Sequence, residues 1–177
     1  MKPADAELLV SLIRDVQDFP TPGILFKDIT PMLRHHQGFS LSVQAFADVS
    51  RNYDLVAGVE ARGFIFAAAV AQLTGKGFVP IRKSGKLPAP AYSESYSLEY
   101  GESTLQIHKD AVDPGERVLL IDDVLATGGT LAAASALIEQ CGGVVESVAV
   151  LLEISGLGGH ENFAARFPGK KIEVLLG

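Results

Sequence analysis

The sequence predicts an α/β fold, an open parallel sheet of about five strands with helices on both faces. From Asp54 onward, short apolar runs alternate with segments of helical spacing, which is the pattern of βαβ units. The composition is that of a globular protein, with 47% apolar and 20% charged residues. A chain of 177 residues can bury a substantial core without staples, so we expect residues 1–177 to form a single domain.

Charge and cysteine content exclude several classes of protein. The 15 Lys and Arg against 21 Asp and Glu give a net charge of −6, which disfavours a general nucleic-acid binder. Cys141 is the single cysteine, so no internal disulfide or cysteine-based zinc cluster can form. The longest apolar run, residues 64–71, is too short for a membrane span, and no apolar signal region follows Met1. We therefore expect a cytoplasmic protein with no nucleic-acid or membrane partner.

The N-terminal part mixes helical and irregular patterns. Residues 4–16 have the apolar spacing of a helix, which the two prolines and the glycine of residues 19–23 end. Residues 24–33 predict irregular structure with a piece of strand, because Asp28 and Pro31 interrupt the apolar run. Residues 39–52 return to helical spacing.

The remainder alternates regularly, with one exception. The predicted strands are 55–59, 78–82, 118–122, 144–154 and 172–176, and the predicted helices between them are 64–73 and 130–141. Residues 83–107, rich in Gly, Pro, Ser and Tyr, predict a long mobile loop that runs into a hairpin with a turn at Tyr100 and Gly101. Loops of this length in a compact domain are usually functional lids or disordered.

The most informative stretch runs from Val118 to Thr130. An apolar strand delivers Asp122 and Asp123 at its carboxyl end, and a small-residue turn, residues 126–130, then opens a helix. Backbone N–H groups at a helix N-terminus bind phosphate, and glycines let the backbone approach the anion closely. Acids directly before such a turn favour a sugar phosphate, with hydroxyls on the carboxylates and the phosphate on the turn. The plainer alternative is a solvated acidic strand end followed by a glycine turn.

This stretch resembles the phosphoribosyl-diphosphate-binding motif of the type I phosphoribosyltransferases. The resemblance covers residues 19–154 and includes, in the family's order and spacing, the segments 19–31, 58–63, 81–88 and 95–101. The N-terminal Pro-Gly segment and the Leu-Glu-Tyr loop select the branch of the family that acts on adenine. The resemblance implies transfer of the phosphoribosyl group from 5-phosphoribosyl 1-diphosphate to N9 of adenine, giving AMP and diphosphate in purine salvage. It also implies a homodimer, a small N-terminal hood over residues 1–33 and a flexible lid over residues 83–107.

The resemblance assigns roles residue by residue. The 5′-phosphate would be bound by Ala126, Thr127, Gly128, Gly129 and Thr130. The diphosphate would be bound by Arg62, Gly63, Arg82, Lys83 and Lys86. Adenine would be bound by the backbone of Leu25 and Lys27, with Phe26 and Val124 on the two faces of the ring. The catalytic residues would be Asp122 and Asp123, which hold the ribose hydroxyls, and Glu99, which handles a purine proton on a lid that Tyr100 supports.

Further expectations concern the diphosphate loop and the metal. Relatives have a cis peptide at the position of Glu60–Ala61, and Ala61 stands where the family often has Ser. Magnesium is implied because a leaving diphosphate must be neutralised, and we expect substrate oxygens and water to hold it, with no direct protein ligand.

Several alternatives remain open from the sequence. The same reaction on xanthine or another 6-oxopurine is one, and a non-catalytic phosphoribosyl-diphosphate sensor that controls transcription is a remote second. A solvated basic loop for residues 82–86 and a core position for Phe26 are the plain structural alternatives.

Overall fold

The computed structural model of the chain describes residues 1–97 and 102–177, which form helices and strands in alternation. The helices are α1 (Pro3–Ser11), α2 (Thr30–Arg34), α3 (His36–Ala47), α4 (Arg62–Thr74), α5 (Gly129–Gln140) and α6 (Gly159–Arg166). The strands are β1 (Arg14–Gln17), β2 (Leu25–Asp28), β3 (Leu55–Val59), β4 (Gly77–Lys83), β5 (Ala91–Ser97), β6 (Glu102–His108), β7 (Arg117–Leu125), β8 (Val144–Glu153) and β9 (Ile172–Leu176).

The main sheet has seven strands in the order β5-β6-β4-β3-β7-β8-β9. Five neighbouring strands of this sheet, β4, β3, β7, β8 and β9, are parallel, which confirms the predicted parallel sheet. Strands β5 and β6 extend its β4 edge as an antiparallel hairpin. The carboxyl ends of the parallel strands meet at one edge of the sheet, where ligands bind in open α/β folds.

Both faces of the sheet are covered, as the sequence predicts. Helices α1, α3 and α4 pack on one face, where Phe46 and Phe66 lie in the core with Leu119 of β7. Helices α5 and α6 cover the other face, where Phe163 lies in the core with Leu120. Successive residues of β7 thus enter opposite cores, which explains why this strand is apolar without alternation.

The structure corrects the predicted first helix. Helix α1 ends at Ser11, and Val16 lies in strand β1, opposite Phe26 in an antiparallel pair with β2. Charged pairs support this small sheet: Arg14 Nε donates to Asp28 Oδ2 over 3.0 Å, and Lys27 Nζ donates to Asp15 Oδ1 over 2.7 Å. The helical spacing of residues 4–16 did not predict this pairing, because the partner strand β2 lies downstream, beyond the loop at residues 18–24.

The segment at residues 83–107 contains more regular structure than a long loop. Strands β5 and β6 confirm the predicted hairpin, and only residues 84–90 connect β4 to it without a helix or strand. The predicted turn at Tyr100 and Gly101 lies outside the described residues, and the mobility of the segment stays a prediction. Helix α6 was not predicted from the sequence. Across the described ranges, the chain contains no helix long and apolar enough to cross a membrane.

Candidate active site

Two buried carboxylates form the centre of the site. Strand β7 continues to Leu125, so Asp122 and Asp123 lie within it and are only 8% and 5% exposed. The N–H of Asp123 donates to Oδ1 of Asp122 over 2.9 Å. Burial, together with the charge of Asp123, raises the pKa of Asp122 well above its ordinary value. Burial also raises the pKa of Asp123, although Arg62 opposes this shift. The plain alternative of a solvated acidic strand end is therefore wrong.

The first turn of α4 packs directly against these carboxylates. A Cβ atom on Gly63 would lie 2.9 Å from both Asp122 Oδ1 and the carbonyl oxygen of Ile121, so only glycine allows this approach. Arg62 Nε lies 2.8 Å from Asp123 Oδ2 as an ion pair. That contact lacks hydrogen-bond geometry, and Asp123 Oδ2 has no hydrogen-bond donor within the described part of the chain. The oxygen is an acceptor that a ligand hydroxyl could use.

Arg62 also joins the carboxylates to the segment assigned to adenine. Its guanidinium carbon lies 4.8 Å from the centroid of the Phe26 ring, and its NH1 donates to the carbonyl of Lys27 over 3.2 Å. Phe26 is half-buried outside both core clusters, with Phe19 packed edge-to-face at 5.1 Å. The core alternative for Phe26 is therefore wrong. Val124, half-buried near the end of β7, packs beside the core under α4.

The basic residues assigned to diphosphate gather around an acid that the sequence reading did not single out. The side chain of Glu60 is 9% exposed. It accepts hydrogen bonds from Arg82 Nε over 3.3 Å and from the N–H of Lys83 over 3.1 Å, and it forms an ion pair with Lys86. Burial raises the pKa of Glu60, but hydrogen bonds from Lys86 and the Lys83 N–H outweigh it, so the net pKa lies below the ordinary value. Arg82 and Lys86 thus pair with a largely buried carboxylate, while residues 83–86 themselves are exposed, as the alternative of a solvated basic loop expects.

The Glu60–Ala61 peptide bond is cis, as the resemblance implied. This bond links the Glu60 cluster to Arg62, so the two groups of cations lie next to each other at the end of β3. The structure therefore brings the two parts of the predicted diphosphate loop to the same edge of the sheet as the carboxylates.

The predicted phosphate turn leads from β7 into α5, which begins at Gly129. Gly128 has a φ of 81°, and a Cβ atom there would lie 2.4 Å from the carbonyl oxygen of Gly159. Glycine is required for both reasons. The first turn of α5 leaves backbone N–H groups without helical partners, which suits an anion.

The β5–β6 hairpin stands beside this turn. A cavity of about 460 Å³ separates them, lined by Ser95 and Tyr96 from the hairpin and by Thr127 and Arg166 across from it. Glu94 of β5 pairs with Arg166 of α6 and accepts a hydrogen bond from Gln140 over 3.1 Å. Glu99 and Tyr100 belong to the connection between β5 and β6 and lie outside the described residues.

The described residues include no group of three or more His, Cys, Asp or Glu side chains arranged to hold a metal ion. How magnesium would be held at this site stays a prediction.

A parallel sheet that carries two buried carboxylates between the glycine turn into α5 and the start of α4 is the arrangement expected of a phosphoribosyltransferase. The family model described as Phosphoribosyl transferase domain matches residues 33–166. The adenine phosphoribosyltransferase of Cutibacterium acnes is 54% identical to this chain over 88% of each chain. The chain belongs to the adenine phosphoribosyltransferase family.

Solved structures agree with this assignment. The crystal structure of adenine phosphoribosyltransferase from Thermoanaerobacter pseudethanolicus has a TM-score of 0.90 at 46% identity and covers 96% of this chain and 98% of its own. The Saccharomyces cerevisiae enzyme, complexed with an imino-altritol bisphosphate and adenine, has a TM-score of 0.89 at 33% identity and covers 99% of this chain and 100% of its own.

Proposed function

We propose that this protein transfers the phosphoribosyl group of 5-phosphoribosyl 1-diphosphate to N9 of adenine, giving AMP and diphosphate. The observation that carries the proposal is the position of Arg62, which contacts Asp123 on one side and Phe26 and Lys27 on the other. One side chain thus links the carboxylates proposed for ribose to the segment proposed for the base. Family membership supports the same reaction, a step of purine salvage.

The carboxylates fit the charge that develops in this reaction. As the bond to diphosphate breaks, the ribosyl carbon and ring oxygen become positive, and preorganised negative charge stabilises such a state. Burial raises the pKa values of Asp122 and Asp123 and so favours their protonated forms. The positive charge that develops on the ribosyl group would favour their ionised forms instead. The 5′-phosphate would bind the turn at residues 126–130, which positions the ribose over the two acids.

Adenine recognition follows from the strand that carries its segment. Within the described residues, strand β2 pairs with β1 alone, so its other edge presents backbone N–H and C=O groups. The backbone of Leu25 and Lys27 would read the purine edge there. Phe26 would stack on one face of the ring, with Val124 on the other, and stacking of a base on an aromatic side chain contributes roughly 1–3 kcal/mol. Residues 1–33 would form the hood over this part of the site.

The leaving diphosphate would bind Arg62, Gly63, Arg82, Lys83 and Lys86. Magnesium, when bound through the diphosphate, supplies charge neutralisation that weakens the bond to the leaving group. We also propose a cytoplasmic location, as expected from the sequence. We further propose a homodimer, as the family resemblance implies, and a single domain over residues 1–177.

Glu99 would complete the chemistry from the lid at residues 83–107. A carboxylate enclosed with the base and shielded from water gains proton affinity, which suits exchange of a proton with the purine. Tyr100 would stabilise the closed lid. A closed lid also keeps water from capturing the positively charged intermediate state.

The test is an assay of adenine, hypoxanthine, guanine and xanthine with phosphoribosyl diphosphate and magnesium, with nucleotide and diphosphate quantified by chromatography. We expect efficient turnover of adenine alone. Preferred turnover of an oxopurine would replace the proposal with the 6-oxopurine reaction. Binding of phosphoribosyl diphosphate without turnover of any base would indicate a sensor.

A further inference from the structure

The proposed phosphate turn, residues 126–130, packs against helix α6, to which no function has been assigned. A Cβ atom on Gly159, at the start of α6, would lie 2.4 Å from the carbonyl oxygen of Ala126. The side-chain amide of Asn162, one turn further along, donates to the carbonyl of Thr127 over 3.0 Å. Two consecutive carbonyls of the phosphate turn therefore face the first turn of α6.

This arrangement fixes the opposite side of the turn. In a trans peptide the C=O and N–H groups point in opposite directions. The peptide bonds from Ala126 to Gly128 are trans, because the cis bonds of the described chain are Phe19–Pro20 and Glu60–Ala61. Carbonyls that face α6 therefore direct the N–H groups of Thr127 and Gly128 away from α6. Those N–H groups are donors for an anion that the turn would hold.

Asn162 has no role in the core that would explain its contact. Its side chain is exposed, on a short helix whose buried residues are Gly159 and Phe163. Its amide hydrogen bond to Thr127 joins residues 35 positions apart in sequence. An exposed polar residue on a helix gains little stability from such a bond, so the bond matters through the peptide that it orients.

We propose that Asn162 is a positioning residue for the 5′-phosphate site. It acts through the Thr127–Gly128 peptide and is supported by the close packing of Gly159 on Ala126. This inference rests on the proposed function, since it deepens the assignment of residues 126–130 to the 5′-phosphate. It places an affinity determinant outside the motif itself.

The test compares Asn162→Leu with the unmodified protein. Leucine has the same number of side-chain heavy atoms as asparagine, branched at the same carbon; it lacks the donor and favours a helix more strongly, so at this exposed position the melting temperature should not fall. The Kd for AMP, measured by isothermal titration, should rise roughly three- to tenfold, the worth of one hydrogen bond. The Kd for magnesium diphosphate should not change. In turnover, the KM for phosphoribosyl diphosphate should rise while kcat stays constant, because the contact serves ground and transition states equally.

Two further variants complete the experiment. Ala164→Leu places the same side chain on the opposite side of α6, at an exposed position, and should leave the Kd for AMP unchanged. Gly159→Ala, checked for folding by circular dichroism, should weaken AMP binding more than Asn162→Leu, because its Cβ would displace backbone.

An unchanged Kd for AMP in Asn162→Leu overturns the inference and leaves the proposed function intact. Equal losses for AMP and diphosphate, or a lower melting temperature, also overturn it, because they indicate a merely structural role. Failure of the unmodified protein to bind AMP overturns the proposed function and the inference together.

Discussion

At Asp122, a buried carboxyl group lowers the stability of the protein when it is ionised. Its carboxylate is buried beside that of Asp123, and both burial and that neighbouring charge raise its pKa. The folded protein therefore holds the carboxyl proton more tightly than the unfolded chain does. Below the ordinary pKa of Asp, the protonated Asp122 carries no penalty for stability. As the pH rises from that ordinary pKa through the raised pKa of the folded protein, the free energy of unfolding falls.

Asp122→Asn should therefore raise the melting temperature near pH 7 and change it little near pH 3.5, close to the ordinary pKa of Asp. Asparagine keeps the acceptor for the Asp123 N–H and cannot ionise. Turnover should fall by about 10²–10³-fold, the usual loss when one preorganised electrostatic contact to the transition state is removed. Thermal melts at both pH values and steady-state kinetics measure these effects. Near-normal turnover would remove Asp122 from the proposed ribose site.

The N-terminal turn of α4 shows the same demand at the level of an element. The helix begins so close to β7 that a Cβ atom on Gly63 would lie 2.9 Å from Asp122 Oδ1 and from the carbonyl oxygen of Ile121. This approach places Arg62 over Phe26 and beside Asp123. The position of a helix start, set by one missing side chain, therefore determines how the carboxylates and the base segment meet.

Gly63→Ala should destabilise the protein by about 1–3 kcal/mol, because the added methyl group overpacks the contact between helix and strand. It should also lower turnover, since the carboxylate of Asp122 must move. Urea denaturation and kinetics provide the measurements. Ala68→Gly, at an exposed position of the same helix, is the matched control: it should cost about 1 kcal/mol of helix propensity with no loss of turnover. Normal turnover in Gly63→Ala would contradict the proposed need for close packing.

The β5–β6 hairpin is the second element with a proposed functional role. If Glu99 exchanges a proton with the purine, Glu99→Gln should lower the single-turnover rate by about 10²–10⁴-fold. Affinity for phosphoribosyl diphosphate should hardly change, because that ligand binds elsewhere in the proposal. Glu99→Ala should be somewhat worse. A loss below about threefold would leave the lid as a water shield only, in which case Tyr100→Gly should be the damaging change.

The net charge of the whole molecule bears on the proposed metal. The chain carries a net charge of −6, and both substrate and product diphosphate are anions. Chelation with EDTA should therefore abolish turnover, and added magnesium should restore it. Affinity for AMP, which lacks the diphosphate, should be nearly unchanged by EDTA. Titration calorimetry and kinetics with and without chelator test this difference. Full turnover after exhaustive chelation would contradict the proposed cofactor.

Much of the fold was predictable because its strongest signals are local. The apolar run of β7, the turn at residues 126–130 and the start of α5 follow one another in sequence, so pattern alone locates them. Strand β1 was not predictable in this way, because helical spacing over residues 4–16 says nothing about a partner at residues 25–28. Helix α6 has eight residues, most of them exposed and few of them apolar, so composition gives little signal for it.

The candidate site divides along the same line. Motif residues such as Asp122 and Gly128 can be read from the sequence, whereas their supporting residues are identified only in three dimensions. Glu60 meets Arg82 and Lys86 across 22 and 26 positions of chain, and Asn162 meets Thr127 across 35. No periodicity or turn chemistry reports such distant pairs, because the packing of the sheet creates them.

Glu60 is a counter-ion within the proposed diphosphate site. If diphosphate binds Arg82 and Lys86 as proposed, it meets cations that already have a carboxylate partner, so binding would exchange one set of ion pairs for another. The affinity is then the difference between two sets of ion pairs, which is smaller than either set alone. After diphosphate left, Arg82 and Lys86 would pair with Glu60 again, so neither cation would lack a counter-ion between ligands. A site built in this way can hold a highly charged leaving group without becoming a trap for it.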